Sequence, residues 1–455
     1  MNKPTKYLIP SPTPMMKKYI LGLVLLLSGP ITYAQEIVQD VDVYVQGDTY
    51  RVQGSIDGAP LFASPQADQA LQFAIDYFSD QGGRVQLQRG TFLLRNTVRL
   101  KNNVTLSGSG PATVLLMDED HESGIGILGE TLDHAIVSNL SIKTPANNKN
   151  AHAGIVLDHS GGCVVENVFC YGMRDYGIWL RNNSFLCEIR SCKVADCGKS
   201  NIYLDRLASA GRGGDFVPNL VTNCIVYGGG AGIECHHALV VNIVACQAYL
   251  TRRPGFFVHS QSNSVLISGC RTFQIRDNAV EVNHSHEINI TGNIFCWHEG
   301  HGIVLDSVTW GTVSANNVID TGHINLDPDE GEEWTYWVDI PDTLRLADRL
   351  KDGIRLTGKS RGLTVQGNAI FNWGSNPPLN YGIFESARSE GNTILGNNVN
   401  YCQRASVAAN GKNTLATNNT GACDKPYEGY NSVEANRLHR FEVARIEKFI
   451  KANSR

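Results

Sequence analysis

The sequence predicts an all-β fold: a single-stranded right-handed parallel β-helix solenoid with an N-terminal capping helix and a C-terminal helix. Three observations carry this. First, a five-residue stretch recurs along most of the chain, as Gly154-Ile155-Val156-Leu157-Asp158, Gly177-Ile178-Trp179-Leu180-Arg181, Gly232-Ile233-Glu234-Cys235-His236, Gly255-Phe256-Phe257-Val258-His259, Gly302-Ile303-Val304-Leu305-Asp306 and four further copies. Its second residues stand at 155, 178, 202, 233, 256, 280, 303, 354 and 383, mostly 23 or 24 apart. A fixed period in that range marks a solenoid whose units share one core. Second, the stretch alternates: its second and fourth positions are Ile, Val, Leu, Phe or Cys, whereas the third and fifth carry the charges. The former face the core and the latter face out. Third, another register repeats in step, with Val165-Glu166-Asn167, Arg190-Ser191-Cys192, Thr222-Asn223-Cys224, Ser268-Gly269-Cys270, Thr291-Gly292-Asn293 and Gln366-Gly367-Asn368 aligned. A stacked Asn or Cys suits a tight bend, where a side-chain ladder satisfies buried backbone groups.

Composition agrees. The 45 glycines and the low 18% of charged residues fit many short strands joined by bends. The net charge of −5, without a basic stripe, argues against nucleic acid as a partner.

In chain order, Met15-Met16-Lys17-Lys18, the apolar run Tyr19 to Leu27 and Thr32-Tyr33-Ala34 read as a signal peptide over 1–34. The run is too short for a permanent span, so no membrane segment is expected after cleavage, and the mature protein is expected in the periplasm or outside the cell. The β-helix domain is expected over 35–424. Within 35–64 only Val41 to Val45 alternates. Ser64-Pro65 reads as a helix start, with Leu71, Ala74, Ile75 and Phe78 on one face and Gln81-Gly82-Gly83 as its end. Such a helix would cap the open end of the coil.

Then Arg84 to Arg89 alternate, Gly90-Thr91-Phe92 follows, and Asn103-Val104-Thr105-Leu106-Ser107-Gly108 opens the first coils. Helix, Gly-Gly, alternating strand, Arg-Gly-Thr-Phe and Val-Thr-Leu-Ser-Gly together resemble the opening of the pectate-lyase-like superfamily. The resemblance implies a secreted carbohydrate-active enzyme or a phage or surface protein of this fold. It covers 66–420 as architecture and only 66–108 as local sequence.

A fold does not choose a reaction, so the site is argued from residues. Two outward columns follow from the repeat. One holds Val156, Trp179, Tyr203, Glu234, Phe257, Glu281, Val304, Arg355 and Phe384; the other holds Asp158, Arg181, Asp205, His236, His259, Asn283, Asp306, Thr357 and Ser386. Solvated strands show polar residues in any case. Aromatic residues among Arg181, Asp205, Glu234, His236, His259 and Glu281 point instead to a groove where sugar rings stack and polar groups address hydroxyls. A covering segment or a partner subunit is the rival explanation for those aromatics. Rungs are about 4.8 Å apart, so Glu234 and Glu281, two rungs apart, have backbones about 9.6 Å apart. This suits an inverting pair of carboxylates better than a retaining one. Asp306 and Asp205 are diagonal neighbours that offer alternatives, and the catalytic set expected is Glu234, Glu281 and Asp306. Trp179, Arg181, Tyr203, Asp205, His236, Phe257, His259, Asn283 and Arg355 are expected to bind substrate.

The superfamily's lyases imply a Lys or Arg base and often Ca²⁺ between Asp residues. Here Arg181 and Arg355 are the only outward bases in the two columns, and Arg252-Arg253-Pro254 only partly matches the lyase Arg-Pro element. No metal or cofactor is expected, with Ca²⁺ reserved for the lyase alternative. The 12 cysteines would suggest disulfides in an exported chain, but Cys192, Cys224, Cys246 and Cys270 fall at the bend of consecutive rungs and Cys187 and Cys235 look inward. A reduced, buried ladder is the preferred reading. His298 and His301 lie three apart in Trp297-His298-Glu299-Gly300-His301, a weak metal pattern and more simply a polar turn.

About 28 extra residues interrupt the period before Gly353, and the insert 322–351 carries Trp334, Tyr336 and Trp337 as a possible lid on substrate. A smaller insert, 208–218, is a candidate for the opposite wall. A helical tail over 425–455 follows, with Leu438, Phe441, Ile446 and Phe449 on one side. A monomer and a homotrimer are both open. The reading is a carbohydrate-active enzyme cleaving glycosidic bonds, a glycoside hydrolase or transglycosidase. The alternatives are a lyase acting on a uronate polymer and a non-catalytic glycan-binding or structural surface protein.

Overall fold

The computed structural model describes residues 40–421 except 57, 79–81, 146–147, 208–217, 323–349 and 373–378. The signal peptide, Trp334, Tyr336, Trp337 and nearly all of the two inserts, and the C-terminal helix lie outside the described residues.

Each rung of the right-handed coil is three short strands separated by bends, and corresponding strands of successive rungs pair in parallel. Among the described residues this builds three sheets, of sixteen, twelve and twelve strands. The recurring stretch forms the third sheet, through Ala153–Asp158, Tyr176–Arg181, Ser200–Asp205, Ala231–His236, Phe256–His259, Val280–Asn283, Ile303–Asp306, Ile354–Thr357 and Leu379–Glu385. Its second positions, Ile155 through Ile383, are all fully buried and fill the coil's axis. Each contributes roughly 1.5–3 kcal/mol through burial. The leading glycine of the stretch is required by close approach of rungs: a Cβ on Gly232 would come within 2.3 Å of the Gly255 carbonyl oxygen.

The bend between the first and second sheets is one left-handed residue followed by the ladder residue. Ser191, Asn223, Ala245, Gly269, Gly292, Ala315 and Gly367 take φ of 54°, 54°, 53°, 62°, 66°, 54° and 62°. The residues after them stack. Thiols of Cys192, Cys224, Cys246 and Cys270 each donate to a carbonyl of the preceding rung at 3.4–3.5 Å. From Cys270 onward the ladder is amide. Cys270 N–H donates to Asn293 Oδ1 at 2.8 Å, and Asn293, Asn316, Asn368 and Asn397 each donate from backbone N–H to the next Asn Oδ1 at 3.0–3.1 Å. Asn167 is a correction to the predicted ladder. It occupies the left-handed position itself, at φ 51°, and Val168 takes the ladder place. The eleven described cysteines are free thiols.

The N-terminal end departs further from the sequence reading. Strand β1 (Asp40–Gln46) pairs parallel with Gly83–Leu87, and β2 (Thr49–Gly54) and β3 (Pro60–Ser64) extend the first sheet by antiparallel hairpins that the sequence did not reveal. Helix α1 (Ala67–Tyr77) buries Leu71, Ala74 and Ile75 as predicted. It starts later than Ser64-Pro65, because Ser64 Oγ accepts the Gln66 N–H at 3.0 Å and donates to Gln69 at 2.9 Å, leaving extended Gln66 as the N-cap. Among the described residues no helix is long and apolar enough to cross a membrane.

Candidate active-site groove

The third sheet stacks its outward residues in the predicted register. Val156, Trp179, Tyr203, Glu234, Phe257, Glu281, Val304, Arg355 and Phe384 are successive lateral partners. Asp158, Arg181, Asp205, His236 and His259 form the second column, and Asn283, Asp306 and Thr357 align further along it.

A third column, missed in the sequence, lies where the chain turns from the second sheet into the third. Tyr176 aligns with Ser200 and Ser200 with Ala231. Pro254, Asn278, His301, Asp352 and Tyr381 stand at the same place in later rungs, one residue before the recurring stretch. Their side chains reach the first column. Tyr176 stacks on Tyr203 at 4.4 Å and 8°, and packs against Trp179 at 4.8 Å, giving an aromatic floor of three rings over two rungs. Arg181 lies 4.4 Å from the centre of the Trp179 ring.

Glu234 is held by three polar side chains. It is only 6% exposed, accepts from Ser200 Oγ, meets His259 Nε2 at 2.9 Å and accepts from Arg253 at 3.3 Å. Burial would raise its pKa, but the His259 and Ser200 hydrogen bonds and the Arg253 charge together outweigh it and hold the carboxyl below its ordinary value. Phe257 stacks on His259 at 4.3 Å and lies beneath the Arg253 guanidinium at 5.2 Å. The His236 ring is 4.9 Å from that of His259 and bonds Asp205 at 2.8 Å.

One rung beyond Phe257, Glu281 accepts from Asn278 and Asn283, both at 2.7 Å. Asp277, beside Asn278 in the same turn, is half-buried. Burial first, and the nearby Glu281 charge second among the raising influences, lift its pKa above the ordinary carboxylate value against the opposing Asn278 N–H and Arg253 and Lys351 charges. Burial and the Glu234 charge push Tyr176 up to about 12, and burial pushes Tyr203 up as well.

The expected carboxylates are thus distributed unevenly. Glu234 and Glu281 flank the Phe257 rung. Asp306 accepts from Ser307 Oγ at 2.9 Å, and its contact there is toward the bend and Gly358. Arg181 is committed to Asp158 at 2.6 Å and Arg355 to the fully buried Asp352, so neither expected base stands unpaired. His298 and His301 diverge: His298 is fully buried with Thr272 at 3.0 Å, whereas His301 reaches the groove column. Among the described residues, no group of three or more His, Cys, Asp or Glu is arranged to hold a metal ion. A concavity of about 540 Å³ lined by Asn242, Leu266, Glu287, Asn289 and Thr312 belongs to the first sheet, away from these residues.

The family model for the right-handed beta helix region matches residues 153–322. No curated protein matches the chain. Solved structures do. The A-module of a mannuronan C-5 epimerase from Azotobacter vinelandii is 15% identical with a TM-score of 0.62, covering 79% of this chain and 96% of that one. A tailspike protein of E. coli bacteriophage HK620 is 14% identical with a TM-score of 0.55, covering 78% and 69%. A DFA-IIIase from Arthrobacter chlorophenolicus A6, in complex with GF2, is 15% identical with a TM-score of 0.53, covering 73% and 90%. With the family model matched over 153–322 and the same coil present rung by rung, the chain has the fold of right-handed parallel β-helix proteins.

Proposed function

We propose that the chain is a carbohydrate-active enzyme that cleaves glycosidic bonds, by hydrolysis or transglycosylation, in the groove of the third sheet. The observation that carries this is a pair of carboxyl groups two rungs apart, on either side of the Arg253 rung and in the field of that one guanidinium, displaced in opposite directions. Glu234 is held below and Asp277 above the ordinary value. Glycosidic cleavage needs such a division, one group kept protonated to donate to the leaving oxygen and others kept ionised. Asp277 therefore takes the acid role, in place of Asp306. Glu281, turned by two carboxamides and free of any cation partner among the described residues, activates water or attacks. Glu234 stays ionised and orients His259 and Arg253. Tyr176, Trp179, Tyr203 and Phe257 supply ring faces for sugars. Among the structurally similar proteins, a mannuronan C-5 epimerase and a tailspike in complex with a hexasaccharide agree with a glycan as the ligand.

A lyase reading weakens because Arg253, the base nearest the groove's centre, is engaged in an ion pair with Glu234. The test is product analysis on inulin, xylan, arabinan, dextran, polygalacturonate and alginate, with wild type, Glu281→Gln and Asp277→Asn side by side. New reducing ends or smaller oligosaccharides, lost by at least ~100-fold in either variant, are expected. Ultraviolet-absorbing unsaturated products would assign β-elimination instead, and binding without turnover would make the protein a glycan binder.

A further inference from the structure

The turn Glu299-Gly300-His301 is not used by the acid–base set just described, yet it places His301 directly in the third column. Its neighbours there are Asn278, which turns Glu281, and Asp352, which holds Arg355. In its own rung the first-column residue is Val304, a small apolar gap between Glu281 and Arg355.

The ring's protonation follows from geometry. Asp352 backbone N–H donates to His301 Nδ1 at 2.8 Å. A ring nitrogen that accepts a hydrogen bond carries no proton, so the neutral ring bears its proton on Nε2. The position is also fixed from behind, since His301 N–H donates to Asn278 Oδ1 at 2.7 Å. Four charged groups bear on the ring. The Asp352 carboxylate, 3.7 Å away, favours the cation, and Arg355 and Lys351 oppose it. The fourth, Glu281, stands one rung back. Burial, the largest influence, lowers the pKa to about 4, so the ring is neutral at physiological pH. The side chain keeps 22% of its surface exposed, and Nε2 has no hydrogen-bond partner among the described residues.

We propose that His301 touches substrate, donating a hydrogen bond from Nε2–H to a hydroxyl oxygen of the sugar that lies over Val304 beside Glu281. The inference rests on the glycosidic-cleavage reading. No proton changes hands: a neutral imidazole is far too weak an acid to protonate a sugar oxygen, and its value is a fixed donor where a mobile cation would be desolvated at a cost. Such a donor orients the ring whose anomeric carbon reacts, and its contribution grows if the hydroxyl gains charge in the transition state.

Two measurements test it. Nitrogen-15 spectra of histidine-labelled free protein are expected to show His301 protonated at Nε2 and bare at Nδ1, with no titration between pH 8 and about 5. A proton on Nδ1, or titration near 6.5, overturns the proposal whatever the activity. Kinetics then use the oligosaccharide that wild type cleaves fastest from the panel above. His301→Phe, which removes the donor and keeps the ring's bulk, is expected to lose about 100-fold in kcat/KM with an unchanged melting temperature. His301→Gln, which can still donate, is expected to stay within about tenfold of wild type. Equal cleavage by wild type and His301→Phe rejects His301 alone. Failure of wild type to cleave any panel member rejects the glycosidase reading and this use of His301 with it.

Discussion

At the scale of single residues, the groove separates carboxyl groups by what surrounds them, and the separation can be read as stability. Folding lowers the Glu234 pKa, so the native state binds that proton less tightly than the unfolded chain. The contribution is complete above the ordinary value of 4.5 and is lost as pH falls through the lower native value. Asp277 has the opposite sign. Its native pKa is raised, so its best contribution lies below the ordinary 3.8 and disappears as pH rises through the native value. Urea unfolding at pH 7 is therefore expected to show Glu234→Gln destabilised by about 2 kcal/mol, with the difference shrinking at pH 3. Asp277→Asn is expected to be as stable as wild type or more so at pH 7, although inactive, the pattern of a group strained for function. Loss of stability in both variants would contradict these assignments. The two outward columns were legible because alternation holds inside a strand. The third was not, since a left-handed residue such as Leu250, Gln274 or Trp297, at φ 54°, 54° and 57°, breaks the alternation just before each turn. Nothing in the period says that Asn278, His301 and Asp352 point to the same side as Glu281.

At the scale of elements, the Cys and Asn rungs do one job with two chemistries. Asn316 accepts from Asn293 N–H and Nδ2, and donates to Asn368 Oδ1 and the Ile290 carbonyl, all at 2.9–3.1 Å. Asn316→Ala leaves these buried groups unpaired and is expected to lower stability by about 2–4 kcal/mol, read as a fall in the urea midpoint. Asn316→Cys should be milder, because a thiol already fills this place at Cys270 and its S–H still reaches a carbonyl. An alanine variant as stable as wild type would deny the ladder its role. The ladder was visible from sequence because the residue pair at the bend recurs; the misplacement at Asn167 came from matching residue type where register decided. The hairpins of β2 and β3 were invisible for a different reason. They occur once, carry no period, and Tyr50, Leu61 and Phe62 are only partly buried, so their pattern is blurred.

At the scale of the whole molecule, a coil with a continuous axis buries nearly all of its cysteines. Ten of the eleven described thiols are buried and the other, Cys296, is pushed up to about 12 by burial. A thiol reagent is expected to leave these groups unmodified in the native protein and to react with them after denaturation, and a reductant is expected not to shift the melting temperature. Rapid labelling of the folded protein, or a drop in melting temperature with reductant, would contradict the reduced ladder. The fold class was legible at this scale since repetition multiplies a weak local signal, while the reaction was not, because it depends on contacts between rungs that no single rung encodes.

The amide ladder passes from Asn316 to Asn368 across 52 positions with a 3.0 Å hydrogen bond, against 3.1 Å for the step from Asn293 to Asn316 across 23, and Asp306 still pairs with Thr357. The scaffold therefore counts rungs and is blind to the length of chain between them. Heredity can lengthen, exchange or remove what emerges at that point without renegotiating the geometry of Glu281 or His301 on the neighbouring rungs. In such a molecule selectivity can drift between generations while the reactive centre stays inherited intact.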